Sequence, residues 1–134
     1  MRVVLDTNVL IAAFISRGGC HHVFEQCAIH HELISSVELV EELKDKLTTK
    51  FRYSEDDVAA VNQLIQSRTQ FVVPVPLKEP ICRDPDDDLV LATAVAGDVT
   101  CIVTGDEDLL ILKTFQGIDI IRPREFATYE AERI

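Results

Sequence analysis

The stretch DPDDDLVLATAVAGDVTCIVTGD, residues 84–106, predicts an apolar helix followed directly by a buried strand. Asp86 to Gly97 is mostly apolar over the length of a helix, whereas residues 101–104 form a short run with high β-propensity. Gly105 makes the turn after that strand. A buried strand that follows a helix is typical of a parallel sheet with helices packed against its faces.

The same alternation of helix and strand extends from this stretch to both ends of the chain. The predicted strands are residues 3–5, 33–35, 71–73, 101–104 and 118–121. The predicted helices are residues 9–16, 20–31, a helix that starts after Ser36, 54–68, 86–97, 108–113 and a last helix from Pro123. The predicted N-caps of the first, third and fourth of these helices are Asn8, Ser36 and Ser54. We therefore expect one α/β domain over residues 1–134, with three layers and a central parallel, Rossmann-like sheet of about five strands flanked by helices.

The composition excludes a disordered or membrane-spanning chain. Of the 134 residues, 47% are hydrophobic and 27% are charged, which is typical of a globular protein. No apolar run approaches the roughly 18 residues that a membrane helix needs. Asp6 interrupts the apolar N-terminus, which we interpret as a first strand and not as a signal peptide. The four cysteines include no C-x-x-C pair, so we expect a reducing, cytoplasmic location.

Cysteine and histidine side chains are concentrated between residues 20 and 31. Cys27 and His31 are four positions apart and would share one face of a helix, which makes a zinc site geometrically possible. The spacing matches no known zinc-finger pattern, and a short helix with exposed histidines is the alternative interpretation.

The acidic residues are concentrated in one segment. The net charge is −10, and the segment between Arg83 and Lys113 holds eight acids and no basic residue. With those eight set aside, the remaining 15 acids nearly balance the 13 bases. Asp6 directly follows the first strand, and Asp106 follows the fourth strand after one glycine. Because the carboxyl ends of parallel strands meet at one edge, we expect these acids to gather there with the DPDDD segment and an acid of the helix after strand two.

Clustered carboxylates repel one another and raise each other's pKa unless a cation offsets them. Since the segment has no Lys or Arg, a divalent metal is the natural cation, and oxygen ligands suit Mg²⁺ or Mn²⁺. Two such ions about 4 Å apart can activate a water and stabilise the leaving oxygen of a phosphodiester. The cluster therefore predicts phosphoryl chemistry.

Each acid also has a purely structural interpretation. Asp6 would cap the first helix, the acids of residues 86–88 would favour a helix dipole, and Asp106 and Asp108 would serve a turn and a cap. The glutamates of the helix after strand two would form a solvated face. The joint position of the acids at strand ends favours the functional interpretation.

Four segments, in order, resemble a PIN-domain ribonuclease. They are LDTNVLIAAF (5–14), SSVELVEEL (35–43), DPDDDLVLATA (84–94) and VTGDEDLL (103–110). The resemblance extends from Val3 to about Phe126, and TGDEDLL and IIRPREF (120–126) are similar to toxins of prokaryotic toxin–antitoxin pairs. It implies a PIN-like fold and a metal-dependent endoribonuclease that hydrolyses phosphodiester bonds in RNA.

By position, the resemblance implies that the catalytic and metal-binding residues are Asp6, Glu42, Asp87 and Asp106. Asp88 is the rival for the third acid, and since neighbouring residues point about 100° apart on a helix, only one of the two can be a ligand. Asp108 is a possible outer partner. Asn8 and Thr104 resemble the polar residues of the family that orient the carboxylates.

The resemblance also implies the cofactor, Mg²⁺ or Mn²⁺, and the partners: an RNA substrate, an antitoxin protein and a second copy in a homodimer. Lys46, Lys50 and Arg52 follow Glu42 along one helix and its end. They form either a strip that guides RNA through phosphate contacts or an ordinary solvated face. The alternative function is a non-catalytic PIN-fold protein that acts through dimerisation and through antitoxin or RNA binding.

Overall fold

In a computed structural model that describes residues 1–133, four of the six strands are short runs of mostly buried residues rich in Val, Leu and Ile. The strands are Arg2–Leu5 (β1), Glu32–Ser35 (β2), Thr69–Phe71 (β3), Cys101–Val103 (β4), Thr114–Phe115 (β5) and Ile118–Ile121 (β6). The helices are Thr7–Ile15 (α1), Gly19–His30 (α2), Val37–Thr49 (α3), Glu55–Arg68 (α4), Pro85–Ala96 (α5), Glu107–Leu110 (α6) and Phe126–Ala131 (α7). A 3-10 turn at Pro123–Glu125 precedes the last helix.

The six strands form one sheet in the order β3-β2-β1-β4-β6-β5. All neighbours are parallel except β5 and β6, which pair antiparallel. In the centre, Val3 is in register with Leu33 of β2 and with Cys101 of β4. The predicted parallel sheet is confirmed, and β1 and β4 end side by side.

The sheet separates two apolar cores because successive strand residues point to opposite faces. Val3 and Leu5 pack on one face with residues of α1, α2, α3, α4 and α7. Val4 packs on the other face with residues of α5 and α6. This arrangement confirms the predicted three layers.

Hydroxyl groups fix the start of α3 to α5. The Ser36 Oγ accepts a hydrogen bond from the Leu39 backbone N–H, as the predicted cap requires. The same oxygen lies 3.0 Å from the Thr93 Oγ1, and Thr93 donates to the Leu89 carbonyl. Since both hydroxyls are fully buried, they determine how α3 and α5 lie against each other.

Three predictions about the elements are wrong. Asn8 does not cap α1 but is exposed inside it, because the helix begins two residues earlier, at Thr7, with Asp6 at the N-cap. The third strand covers residues 69–71 and not 71–73, since its register is set by the pairing of Ser35 with Phe71. The helix predicted over 108–113 is α6, which ends at Leu110.

The strand β5 is additional to the five that were predicted. It is two residues long and is joined to β6 by Gln116 and Gly117, whose φ angles are 50° and 81°. Two consecutive residues with positive φ make the tight turn that suits a β-hairpin. The sheet therefore gains an antiparallel edge beyond β6.

The histidines and cysteines between residues 20 and 31 are engaged in separate contacts. Cys27 is fully buried in the core that also contains Cys101, and all four cysteines are free thiols. His21 pairs with Glu25, and His31 pairs with Glu130 of α7. These contacts favour the helix interpretation over the zinc site. Within residues 1–133, no helix has both the length and the apolar character needed to cross a bilayer.

Candidate functional site

Asp6 lies where β1 ends, beside the end of β4. Its backbone N–H donates to the Val103 carbonyl at 3.0 Å, which continues the contact between the two strands. Its Oδ2 accepts a hydrogen bond of 2.7 Å from the Oγ1 of Thr104, and both residues are buried. Among the described residues, this side chain makes no capping bond to α1. The carboxylate is thus held toward the edge of the sheet and not toward its own helix.

Thr104 links the two strand ends of the site. While its hydroxyl donates to Asp6, its Oγ1 accepts from the backbone N–H of Asp106 at 3.0 Å. The Asp106 Oδ1 in turn accepts from the Asp108 N–H at 2.9 Å and caps α6. Asp106 is therefore a helix cap, as its structural interpretation proposed, and also part of the acidic cluster. The expectation that Thr104 orients a carboxylate agrees with these contacts.

Three carboxylates meet at the start of α5 and α6. One oxygen from each of Asp87, Asp106 and Asp108 lies within 4.8 Å of the others. Asp87 belongs to the first turn of α5, which Asp84 caps by accepting from the Asp86 N–H. Although it carries a carboxylate, Asp87 is only 7% exposed.

Asp88 has a different environment from Asp87. Its Oδ1 accepts from the Cys82 N–H at 2.8 Å, and its Oδ2 accepts from the Ile81 N–H at 3.2 Å. Both oxygens therefore fix the loop that precedes α5. Of the two rivals for the third acid, the fold brings Asp87 into the cluster and turns Asp88 away from it.

Glu42 approaches the cluster from α3. Its side chain is 19% exposed and forms an ion pair of 3.0 Å with Lys46, one turn further along the helix. Burial raises the pKa of Asp6, and the charges of Asp106 and Glu42 raise it further, while the Thr104 hydrogen bond acts in the opposite direction. Glu42 thus faces Asp6 closely enough for their charges to interact.

The pKa of Asp87 is strongly raised. Burial raises its pKa to about 7, and the charge and hydrogen bond of Asp106 contribute next, followed by the charge of Asp6. Of the acids predicted from the sequence, Asp87 and Asp106 thus lie together, Asp6 is joined to Asp106 through Thr104, and Glu42 is linked to Asp6 by its charge. We call Asp6, Glu42, Asp87 and Asp106 the acidic site.

The donor atoms of the acidic site fit a hard divalent ion. All of them are carboxylate oxygens, which Mg²⁺ and Mn²⁺ prefer. Two cations lie at the edge of the acidic site. Lys46 pairs with Glu42, and Arg83 pairs with the neighbouring Asp108 at 2.7 Å. Within residues 1–133, no ion pair involves Asp6, Asp87 or Asp106. The repulsion among these acids is what a bound divalent ion would relieve.

The edge of the site differs from the sequence prediction in two contacts. The Asn8 side chain is exposed on α1, and within residues 1–133 it makes no hydrogen bond to a carboxylate. Arg83 was not predicted to belong to the site, but its guanidinium donates a hydrogen bond to Asp108. The sequence feature that could have predicted this contact is the position of Arg83 as the last basic residue before the acidic segment.

Comparisons with known proteins identify the family and the fold. A family model described as PIN domain matches residues 2–108. Among solved structures, the crystal structure of VapBC2 from Rickettsia felis bound to a DNA fragment from their promoter is similar, with a TM-score of 0.64 and 13% sequence identity. The match covers 91% of this chain and 98% of that chain, and it shows a shared fold. No curated protein matches the chain significantly.

Proposed function

This chain belongs to the PIN-domain family, and we propose that it is a metal-dependent endoribonuclease that hydrolyses phosphodiester bonds in RNA. The observation that carries the proposal is the meeting of the Asp87, Asp106 and Asp108 carboxylates at the strand edge that also holds Asp6. Nucleases of this chemistry need clustered carboxylates that hold divalent ions.

Asp6, Glu42, Asp87 and Asp106 are the residues that would hold Mg²⁺ or Mn²⁺. When bound, such an ion supplies positive charge that makes water a stronger nucleophile and offsets the charge that develops on the phosphate. Thr104 keeps the Asp6 carboxylate in one orientation through its hydrogen bond. This preorganisation reduces the reorganisation that the site needs when substrate arrives.

Lys50 and Arg52 support the RNA part of the proposal. Both are exposed at the end of α3, the helix that carries Glu42 and Lys46. Contacts from Lys and Arg to phosphates provide most of the affinity of nucleic-acid binding. Charge reversal at Lys50 and Arg52 is expected to lower RNA affinity and to flatten its dependence on salt. An unchanged salt dependence would mean that this strip is an ordinary solvated face.

The direct test is cleavage of defined RNAs with Mg²⁺, with Mn²⁺ or with EDTA. We expect cleavage with the metals, none with EDTA and none by the Asp6→Asn protein. The matched control is Asp98→Asn: Asp98 is exposed, precedes β4 and has a φ of 49°, a conformation that Asn also adopts readily. Cleavage that persists in EDTA, or in the Asp6→Asn protein, would refute the proposed chemistry.

We further propose that the protein is the toxin of a toxin–antitoxin pair, acting in the cytoplasm as a homodimer. The structural relative from Rickettsia felis is a VapBC2 complex. A protein partner of this chain would need an exposed surface to bind. Ile29 and Leu64 are exposed and line a cavity of about 250 Å³ together with Phe14 and Phe24. Exposed apolar patches of this kind commonly mark protein interfaces.

The partner proposal has its own tests. A small reading frame beside the gene, encoding a DNA-binding pattern, should yield a protein that copurifies with this chain. Ile29→Asp should prevent copurification without reducing RNA cleavage, whereas Ile111→Asp, at another exposed apolar side chain, should have no effect. Sedimentation equilibrium of the isolated chain tests the homodimer. Copurification without any cleavage would favour the non-catalytic alternative.

A further inference from the structure

Two lysines on α3 form ion pairs in different surroundings. Lys44 pairs with Glu41 at 3.1 Å, and the Glu41 side chain is 62% exposed. Lys46 pairs with Glu42 at 3.0 Å, and these side chains are 29% and 19% exposed. An exposed pair of the first kind contributes little free energy because water screens it. The Lys46 pair lies at the edge of the acidic site, where screening is weaker.

The Lys46 ammonium lies 3.0 Å from the Oε1 of Glu42, which belongs to the acidic site. A lysine ammonium beside a carboxylate is charged at neutral pH. The Lys46 ammonium holds one carboxylate of the site and repels any second cation that enters.

We propose that Lys46 competes with the divalent ion for Glu42 and that, once displaced, its ammonium binds a phosphate of the RNA. This inference rests on the proposed function, in which Glu42 is a metal ligand. The four-carbon stem of lysine is flexible enough for the ammonium to leave Glu42 while remaining near the site. A phosphate beside the ion would then give the displaced ammonium a new anionic partner.

The competition predicts opposite effects on the two ligands. Without Lys46, the ion meets a free Glu42 and one positive charge fewer, so metal should bind more tightly. RNA should bind more weakly in the presence of metal because a phosphate contact is lost. A Lys46 that served only to stabilise α3 would, when removed, weaken both.

The test is calorimetric titration of the wild type, Lys46→Met and Lys44→Met with Mn²⁺, followed by cleavage kinetics. We expect Lys46→Met to bind Mn²⁺ about three- to tenfold more tightly, from the loss of one unit charge near the ion. At saturating Mn²⁺ its KM for RNA should rise about three- to tenfold. In EDTA, Lys46 of the wild type remains paired with Glu42. The RNA affinity of Lys46→Met should therefore differ from that of the wild type by less than about twofold under this condition. Lys44→Met should match the wild type in all three measurements.

Lys46→Gln is a second variant, which should shift the Mn²⁺ affinity in the same direction if the charge is responsible. Unchanged or weaker Mn²⁺ binding in both Lys46 variants would overturn the competition. If the wild type binds Mn²⁺ and Asp6→Asn does not, unchanged or weaker binding in the Lys46 variants refutes this inference and leaves the proposed function standing. If the wild type itself binds no Mn²⁺, the proposed function fails and the inference fails with it.

Discussion

Replacing Asp87 with Asn should stabilise the protein at neutral pH when divalent ions are removed. Asp87 is buried in the first turn of α5, and burial, with the charge and hydrogen bond of Asp106, raises its pKa from 3.8 to about 7. A pKa that is higher in the folded state means that the folded protein retains a proton which the unfolded chain has released. Its free energy of unfolding must therefore fall as the pH rises.

The size of the effect follows from the shift of the pKa. Below pH 3.8 the carboxyl is protonated in both states and costs nothing. Between that value and about 7, the free energy of unfolding falls by roughly 1.4 kcal/mol per pH unit. Above about pH 7 the full loss amounts to roughly 4 kcal/mol. Asparagine has no charge to lose, and its amide can still donate to Asp106. We expect a gain of roughly 2 to 4 kcal/mol at about pH 8 and little gain at about pH 4.

Urea unfolding in EDTA across this pH range, followed by circular dichroism, measures the effect. Asp88→Asn is the control, because the Asp88 oxygens bind the Ile81 and Cys82 backbone and lie outside the cluster. Relative to the wild type, the free energy of unfolding of Asp88→Asn should be lower by a similar amount across this pH range. Adding Mn²⁺ should stabilise the wild type more than Asp87→Asn, since an ion that binds the folded state contributes to its stability. An Asp87→Asn protein whose stability followed the wild type from acid to neutral pH would refute the reasoning.

Two further substitutions test the frame around the site. Thr104→Val removes both the hydrogen bond to Asp6 and the hydrogen bond from the Asp106 N–H. Mn²⁺-dependent cleavage should therefore fall at least about tenfold while the fold remains. Thr104→Ser should restore the cleavage. An active Thr104→Val protein would mean that Asp6 is oriented by other contacts. Gly97→Ala would place a Cβ 2.6 Å from the Ile34 Cγ2, so the free energy of unfolding should fall by about 1 to 3 kcal/mol. Thermal unfolding measures that loss, and an unchanged Tm would contradict the tight packing of α5 on the sheet.

The position of Asp6 beside Asp106 could be predicted from the sequence. Each acid follows a short run of buried residues, and parallel strands place their carboxyl ends at one edge. The inference needs only the order of the strands, which is robust to errors of one or two residues at their ends. Ser36 was predictable for a similar reason, because a cap acts within one turn of its own helix.

Three features could not be predicted because the local sequence pattern does not determine them. The bounds of β3 follow from the register of Phe71 with Ser35, which local apolar residues do not determine. The β5 strand has only two residues, so it has no periodicity to recognise. The choice between Asp87 and Asp88 depends on the loop before α5, whose backbone N–H groups bind Asp88. For β3 and for Asp88, contacts outside the segment itself decide between local alternatives, whereas β5 is too short to give a local pattern.

The acidic segment does not need a cation for each of its eight charges, because half of its acids have other partners and two more are exposed to water. Four of them are accounted for by a helix cap, loop amides and two ion pairs: Asp84, Asp88, Asp108 and Glu107. Asp98 is exposed before β4, at the opposite end of that strand from the acidic site. Asp86 is likewise exposed to water. The uncompensated charge that is shielded from water is thus confined to Asp87 and Asp106, together with Asp6 from β1. Since a proton on Asp87 already relieves part of that repulsion near neutral pH, metal and proton must compete for this carboxylate. Metal affinity should therefore increase as the pH rises toward the pKa of Asp87, in the same range where the metal-free protein loses stability.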